Sequence, residues 1–259
     1  MNKLNRERQA QVIAAPVEGN SIRAIERMTG VAKHTISELI KEAGIACADY
    51  QDRTLGNLKC KRVQVDEIWQ LVDAKEKNVP AEKEGQFGFG DIWTWVAIDA
   101  DTKLVPSFMT GNRDARSGRI FVDDLASRLA SRVQLTSDGL KVYLEAVEGA
   151  FGCAIDYAML IKTYESSQEE TRYSPAVCTR CESKRVMGNP DPKHISASYS
   201  ERQNLTMRMQ IRRFTRLTSA ISKKVENHAY YIALHYMHYN FCRIHTTLSA
   251  ALKGGAASK

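Results

Sequence analysis

Asp66 sits inside an apolar run, Val63-Gln64-Val65-Asp66-Glu67-Ile68-Trp69, and no other feature constrains the chain as strongly. β-Branched and aromatic residues around it call for a strand. An ionised carboxylate inside a strand is costly to desolvate unless something compensates it. Asp138 closes a second apolar run, Val133-Gln134-Leu135-Thr136-Ser137. Glu201 opens a segment whose other charges, as far as residue 224, are all positive. A divalent cation would compensate such groups, because hard cations such as Mg²⁺ prefer oxygen ligands. Carboxylates of this kind beside a basic segment point to chemistry on a phosphodiester.

At 259 residues the chain is long enough for one large domain or two smaller ones. Its net charge of +7 favours an anionic partner, nucleic acid before membrane. Met1 to Arg8 is polar and charged, with no apolar segment of a signal peptide after it. No stretch approaches the roughly 18 apolar residues of a spanning helix. A cytosolic protein is therefore expected.

The cysteines, Cys47, Cys60, Cys153, Cys178, Cys181 and Cys242, are scattered, which argues against a secreted disulfide framework. Cys178 and Cys181 form a single CxxC. A zinc site there would need two distant ligands from Cys60, Cys153 or His194, and ordinary reduced thiols are the preferred reading.

Residues 5 to 44 read as three short helices. Asn5 is placed to cap the first, and Pro16 should end or kink it. Asn20 or Ser21 caps the second, and Thr29-Gly30-Val31 is a tight turn into the third. Ala24, the glycine turn and the apolar set Ile25, Val31 and Ile36 resemble a helix-turn-helix. The start of its second helix carries Lys33, His34, Thr35 and Ser37, groups able to bond phosphates or base edges. The expected organisation is a helix-turn-helix DNA-binding domain at 1–48 and a linker at 49–60.

From Lys61 the pattern changes to strands. Val63 to Val72, Ile92 to Asp99 and Leu104 to Met109 form a meander with a turn at Asp99 to Lys103. Ser117 to Ser131 is an amphipathic helix, Val133 to Thr136 a fourth strand, Tyr143 to Phe151 a helix and Ile155 to Ile161 a fifth strand. This α/β order resembles the mixed sheet of the ribonuclease H-like fold, in which the first and fourth strands are neighbours. Asp66 and Asp138 would then converge, with Glu201 on a later helix completing the cup. The domain spans 61–248, with a polar insertion at about 164–196 and a flexible tail at 249–259.

Glu67 alternates to the strand face opposite Asp66 and is not expected to share its metal. Asp99, Asp101 and Asp156 read as turn or surface residues. Glu226 is the competitor for Glu201. Glu201 to about Lys224 reads as one helix with a break near Thr218-Ser219. Its one-sided charge, from Arg202, Arg208, Arg212, Arg213, Arg216, Lys223 and Lys224, suits phosphate neutralisation better than a solvated face. His235 and His238 are expected to pack or face solvent.

Several segments together resemble a family. They are Val65-Asp66-Glu67-Ile68-Trp69, Trp93-Thr94-Trp95-Val96-Ala97-Ile98-Asp99, Thr136-Ser137-Asp138-Gly139, Tyr199-Ser200-Glu201-Arg202-Gln203-Asn204-Leu205-Thr206 and Tyr239-Asn240-Phe241-Cys242-Arg243-Ile244-His245 with Thr247 and Leu248. The chain is similar to bacterial insertion-sequence transposases of the DDE class, in particular the insertion sequence one group. The resemblance implies cutting and joining of double-stranded DNA by Asp66, Asp138 and Glu201 with two Mg²⁺ or Mn²⁺ ions. It adds Arg243 to the DNA contacts and implies a homo-oligomer acting in a bacterial nucleoid. Two other readings remain: a helix-turn-helix protein with a silent cup, and a metal-dependent nuclease of the same fold.

Overall fold

The run around Asp66 forms β1 (Arg62–Val72) within a six-stranded mixed sheet of order β3-β2-β1-β4-β5-β6. The structure is a computed structural model that describes residues 4–165, 177–215 and 220–245. The other strands are β2 (Gly90–Asp99), β3 (Ser107–Gly111), β4 (Gln134–Ser137), β5 (Asp156–Glu165) and β6 (Val177–Met187). β1, β2 and β3 are an antiparallel meander. β4 pairs parallel with β1, and β5 parallel with β4. Parallel neighbours need crossovers, supplied by α4 (Ala115–Arg128) and α5 (Val142–Phe151). Through β5 this is the expected ribonuclease H-like order.

Alternation along β1 and β2 divides the core into two layers. Val63, Val65, Trp95 and Ala97 pack against Phe121, Leu125 and Val147 of α4 and α5. Trp95 meets Tyr143 edge to face at 5.6 Å and donates its indole N–H to the Asn112 carbonyl. On the other face, Ile68, Val96 and Ile98 meet Met207 of α6 (Ser198–Gln210) and Tyr231, Ile232 and Tyr236 of α7 (Val225–Met237).

The N-terminal helices are α1 (Arg6–Val17), α2 (Ile22–Thr29) and α3 (Lys33–Thr54). Asn5 Oδ1 accepts the Arg8 amide and Ser21 Oγ the Ala24 amide, so both caps are made. Gly30 turns left-handed at φ +69°, a conformation cheap only for glycine. Pro16 lies in the last turn of α1, where its carbonyl accepts the Tyr231 hydroxyl at 2.8 Å.

Three expectations are corrected. The third helix does not stop near 44 but runs to Thr54, so much of the expected 49–60 linker is helix. Gln51 inside it donates to the Ala233 carbonyl of α7, and Val12, Ile25, Ile36 and Ile40 share one core with the sheet. The expected polar insertion at 164–196 contains β6, paired antiparallel with β5. The long helix from Glu201 ends at Gln210, because Ile211 is extended (φ −109°, ψ 104°). The expected tail at 249–259 lies outside the described residues.

α3 crosses α7 at Gly44, where an added Cβ would collide with the backbone carbonyl oxygen of Tyr230. A backbone obstacle cannot rotate away. Gly44→Ala should therefore lower stability by about 2 kcal/mol, even though alanine is the better helix former. Urea unfolding measures this, and a gain in stability would show that the crossing is looser than described.

Candidate active site

Register brings the first two carboxylates together. β1 and β4 pair as far as Gln64 with Thr136. Two residues further on stand Asp66 and Asp138, the latter just beyond the end of β4 at Ser137. Carboxylate oxygens of Asp66, Asp138 and Glu67 all lie within 4.8 Å of one another. Glu67 is thus a correction to the alternation argument. It does start on the opposite face, but its carboxylate still reaches Asp66 and Asp138 past the end of β4.

Both Glu67 oxygens are occupied. Oε1 accepts from Arg113 at 2.7 and 2.9 Å, and Oε2 accepts the Tyr143 hydroxyl at 3.2 Å. Arg113 also covers the Trp93 ring, 4.6 Å from its centroid. Asp66 Oδ1 accepts the Glu67 amide, and Oδ2 accepts the Asn204 side-chain amide, each at 2.9 Å. Asp138 Oδ1 accepts the Leu140 amide at 2.9 Å.

Crowding has an electrostatic consequence. Burial, then the charges of Glu67 and Asp138, push the Asp66 carboxyl up to about 8. Burial and Asp138 also raise Glu67, against the lowering effect of Arg113 and Tyr143. Such a cluster is compensated either by protons or by a cation.

α6 closes the other wall. Gln64 Oε1 accepts the amides of Tyr199 and Ser200 at 2.8 and 3.1 Å, which pins the start of that helix to β1. Glu201 and Asn204, three residues apart, share one side of α6. Asp66, Asp138 and Glu201 line one cleft of about 740 Å³ with Arg113, Lys141 and Lys162. Glu201 is exposed and is paired with Lys162 Nζ from β5. Burial lowers the Lys162 pKa, but its bond and charge interaction with Glu201 outweigh that and leave it raised. Glu226, the competitor, is exposed on α7 and does not line this cleft.

The oxygen-only donor set suits a hard divalent cation, and the raised Asp66 is the group such a cation would relieve. The CxxC does not suit zinc. Cys178 and Cys181 are exposed on β6, and among the described residues no third Cys, His or carboxylate gathers with them. Cys60 is buried in the core, where burial and then Asp99 and Asp101 push its thiol up to about 12. His194 instead meets Arg62 at 2.6 Å.

The remaining expected residues are dispersed. Lys33, His34 and Thr35 are exposed at the start of α3 and Ser37 is half-buried, with the Lys33 amide capped by Glu26 at 2.9 Å. Arg202, Arg212, Lys223, Lys224 and Arg243 are exposed and Arg208 is half-buried. Lys223 Nζ donates to the Asp73 carbonyl at 3.0 Å. Arg216 lies outside the described residues.

Arg213 is a correction. Its guanidinium donates to Ser222 Oγ and the Asn227 carbonyl at 2.9 and 2.8 Å, over the Tyr231 ring. Burial lowers its pKa. It joins the 211–215 segment to α7 and is not on a helix face with the others. Asp101 and Asp156 pair with Arg62 and Arg132. Asp99 is a correction: it is the buried last residue of β2, and its carboxylate accepts the Thr102 hydroxyl of the following turn at 2.5 Å. His235 is buried in the core, and His238 lies 3.8 Å from Glu18.

Arg113, Lys162, Tyr143 and Glu67 were not singled out as site residues from sequence. Asn204 carried one readable signal, its three-residue spacing from Glu201. The others reach the site through tertiary contacts that leave no local pattern.

The sequence matches no protein-family profile and no curated protein. Among solved structures, the chain is similar to the piggyBac transposase synaptic complex with hairpin DNA, at 10% identity and a TM-score of 0.41, covering 93% of this chain. It spans 66% of that chain's length. It is also similar to the Mos1 strand transfer complex, at 10% identity and a TM-score of 0.26, covering 92% of this chain and 77% of that one. The fold assignment stands on strand order and register, to which likenesses at these scores add nothing.

Proposed function

We propose that the protein is a metal-dependent DNA strand transferase of the transposase type, acting on the ends of a mobile element. The observation that supports this most is the meeting of Asp66, in the middle of β1, with Asp138, just past the end of β4, in a cleft that Glu201 of α6 also lines. Asp66, Asp138 and Glu201 are the residues that would hold two Mg²⁺ or Mn²⁺ ions. When bound, these ions supply activation of an attacking water or 3′-hydroxyl and stabilisation of the leaving oxygen.

The chain's own residues do the rest. Asn204 and the Glu67 amide orient the Asp66 carboxylate. Glu67, itself fixed by the Tyr143 hydroxyl, holds Arg113 at the cleft wall, where its guanidinium neutralises charge on a phosphate. Lys162 neutralises Glu201 until DNA and metal occupy the cleft. Lys33, His34, Thr35 and Ser37 make the helix-turn-helix contacts to duplex DNA, and Arg212 contacts backbone phosphates. Acting on two element ends calls for at least two copies of the chain.

One observation favours a silent DNA-binding protein: Glu201 is held by Lys162 instead of joining Asp66 and Asp138. A strand-transfer assay with a plasmid target and linear element ends, with and without Mn²⁺, separates the readings. Metal-dependent joining is expected. Cutting without joining means a nuclease, and DNA binding with neither reaction means a silent cup.

The arginines give a further contrast. Arg212→Ala should weaken duplex binding, with a salt slope shallower by about 0.9. Arg213→Ala should instead cost about 2 kcal/mol of stability, by leaving Ser222 and Asn227 without their donor. Salt-titrated binding and urea unfolding of both variants check the pair. A shallower slope for a stable Arg213→Ala protein would return that residue to the DNA path.

A further inference from the structure

α6 has a second side. Tyr199 and Glu201 stand about 200° apart around the helix, so Tyr199, Arg202, Gln203 and Thr206 face away from the carboxylates. They line a separate cleft of about 270 Å³. Its other wall is Lys103, the π-helical turn His238–Cys242 and the residues just after it. π-Turns are rare and frequent at functional sites. This one is fixed by Asn240, whose amide accepts the Val105 N–H and donates to the Val105 carbonyl, both at 3.0 Å.

Two features of this cleft point to a ligand. Arg202 and Arg243 have no carboxylate partner among the described residues, although both border the cleft. Tyr199 carries the Lys103 ammonium 3.2 Å from its ring centroid and is still 40% exposed. Two guanidiniums without a carboxylate partner among the described residues ask for an anion with several acceptor oxygens, as a phosphodiester has. An exposed aromatic ring beside them asks for a flat apolar face. In duplex DNA each base face is covered by its neighbours, so only an unpaired base can stack on Tyr199.

We propose that this cleft holds an unpaired nucleotide of a DNA strand, its phosphate on Arg202 and Arg243 and its base against Tyr199. The proposal rests on the reading of the carboxylate cleft as a DNA-processing site, with one helix width separating the two clefts. The strand gripped here is the one whose neighbouring phosphate lies among Asp66, Asp138 and Glu201.

The test is fluorescence anisotropy of the full chain with a short labelled oligothymidylate, in EDTA, across a salt series. The native protein should bind it. The Arg202→Ala, Arg243→Ala double variant should bind at least tenfold more weakly, with a salt slope shallower by about 1.4. Tyr199→Ala should lose roughly tenfold, and Tyr199→Phe should restore it. Unchanged binding by a double variant with native melting would overturn the proposal, as would native protein that binds duplex but not the single strand. Oligonucleotide binding by a protein that never cuts DNA with Mn²⁺ would sink the strand-transferase reading and leave the cleft standing. Cutting without oligonucleotide binding would remove the cleft alone.

Discussion

The Asp66→Asn protein should melt higher than the native protein in EDTA, and should lose metal-dependent DNA cutting. Both effects come from one crowded carboxylate. Asp66 lies in β1 beside Glu67 and Asp138, and burial with those charges raises its carboxyl from 3.8 to about 8. Between these values the folded protein holds a proton that the unfolded chain has released. The native fold therefore loses stability as pH rises from about 4 to 8. At pH 7 the deficit is about 4 kcal/mol, given a shift of this size at about 1.4 kcal/mol per unit. Asparagine keeps the shape and removes the titration, so the gain should be large at pH 8 and absent at pH 4. Saturating Mg²⁺ should raise the native melting temperature in the same way and leave the variant unmoved. Cutting should fall by at least about 10³-fold, because metal-bound oxygens are not replaced by an amide. Thermal melts at several pH values check the first part. Equal melting of native and variant proteins at pH 8 would mean that Asp66 is not strained by its neighbours.

The second large effect has the opposite pH sense. His228 and His235 are fully buried, and none of their ring nitrogens has a hydrogen-bond partner among the described residues. Burial, reinforced by Arg213, lowers His228 from 6.5 to about 3. Burial, reinforced by His238 and Arg243, does the same to His235. Each stays neutral in the fold and takes up a proton on unfolding below about pH 6.5. Stability is then lost as pH falls, by about 1.4 kcal/mol per pH unit for each histidine. Asp66, which holds a proton in the folded state, offsets part of this in the native protein. The difference between variants is therefore the sharper test. Between pH 6 and 4, His228→Leu should flatten the dependence of unfolding free energy by about one proton, or about 1.4 kcal/mol per unit. Parallel curves for native and variant proteins would place a partner on that ring.

These two sites also mark what the sequence makes legible. Asp66 and Asp138 can be found without coordinates, because a carboxylate inside an apolar strand and one at the end of another need a reason. The parallel pairing of β1 with β4 then sets them side by side. Glu67 fails the alternation rule because that rule fixes where a side chain starts and not how far it reaches past a strand end. Arg113 and Lys162 come from a loop and a neighbouring strand, so their arrival at the cleft is a tertiary event. β6 escapes a periodicity search for another reason. Residues from Cys178 to Arg185 are exposed at the sheet edge, so neither strand face needs an apolar series. Its Lys and Arg residues read as loop. Gly44 misleads in a similar way. It suggests a helix end by residue type, but it is the point where α7 crosses close to α3.

The most direct measurement of the central claim is a calorimetric Mn²⁺ titration of the native protein and the Asp138→Asn variant, in the presence of a short DNA duplex. Two saturable ions per chain are expected for the native protein. Loss of at least one is expected in the variant, with its melting temperature in EDTA not lowered. Mn²⁺ binding that is absent, or that the substitution leaves unchanged, would contradict a divalent-metal centre built on Asp66, Asp138 and Glu201.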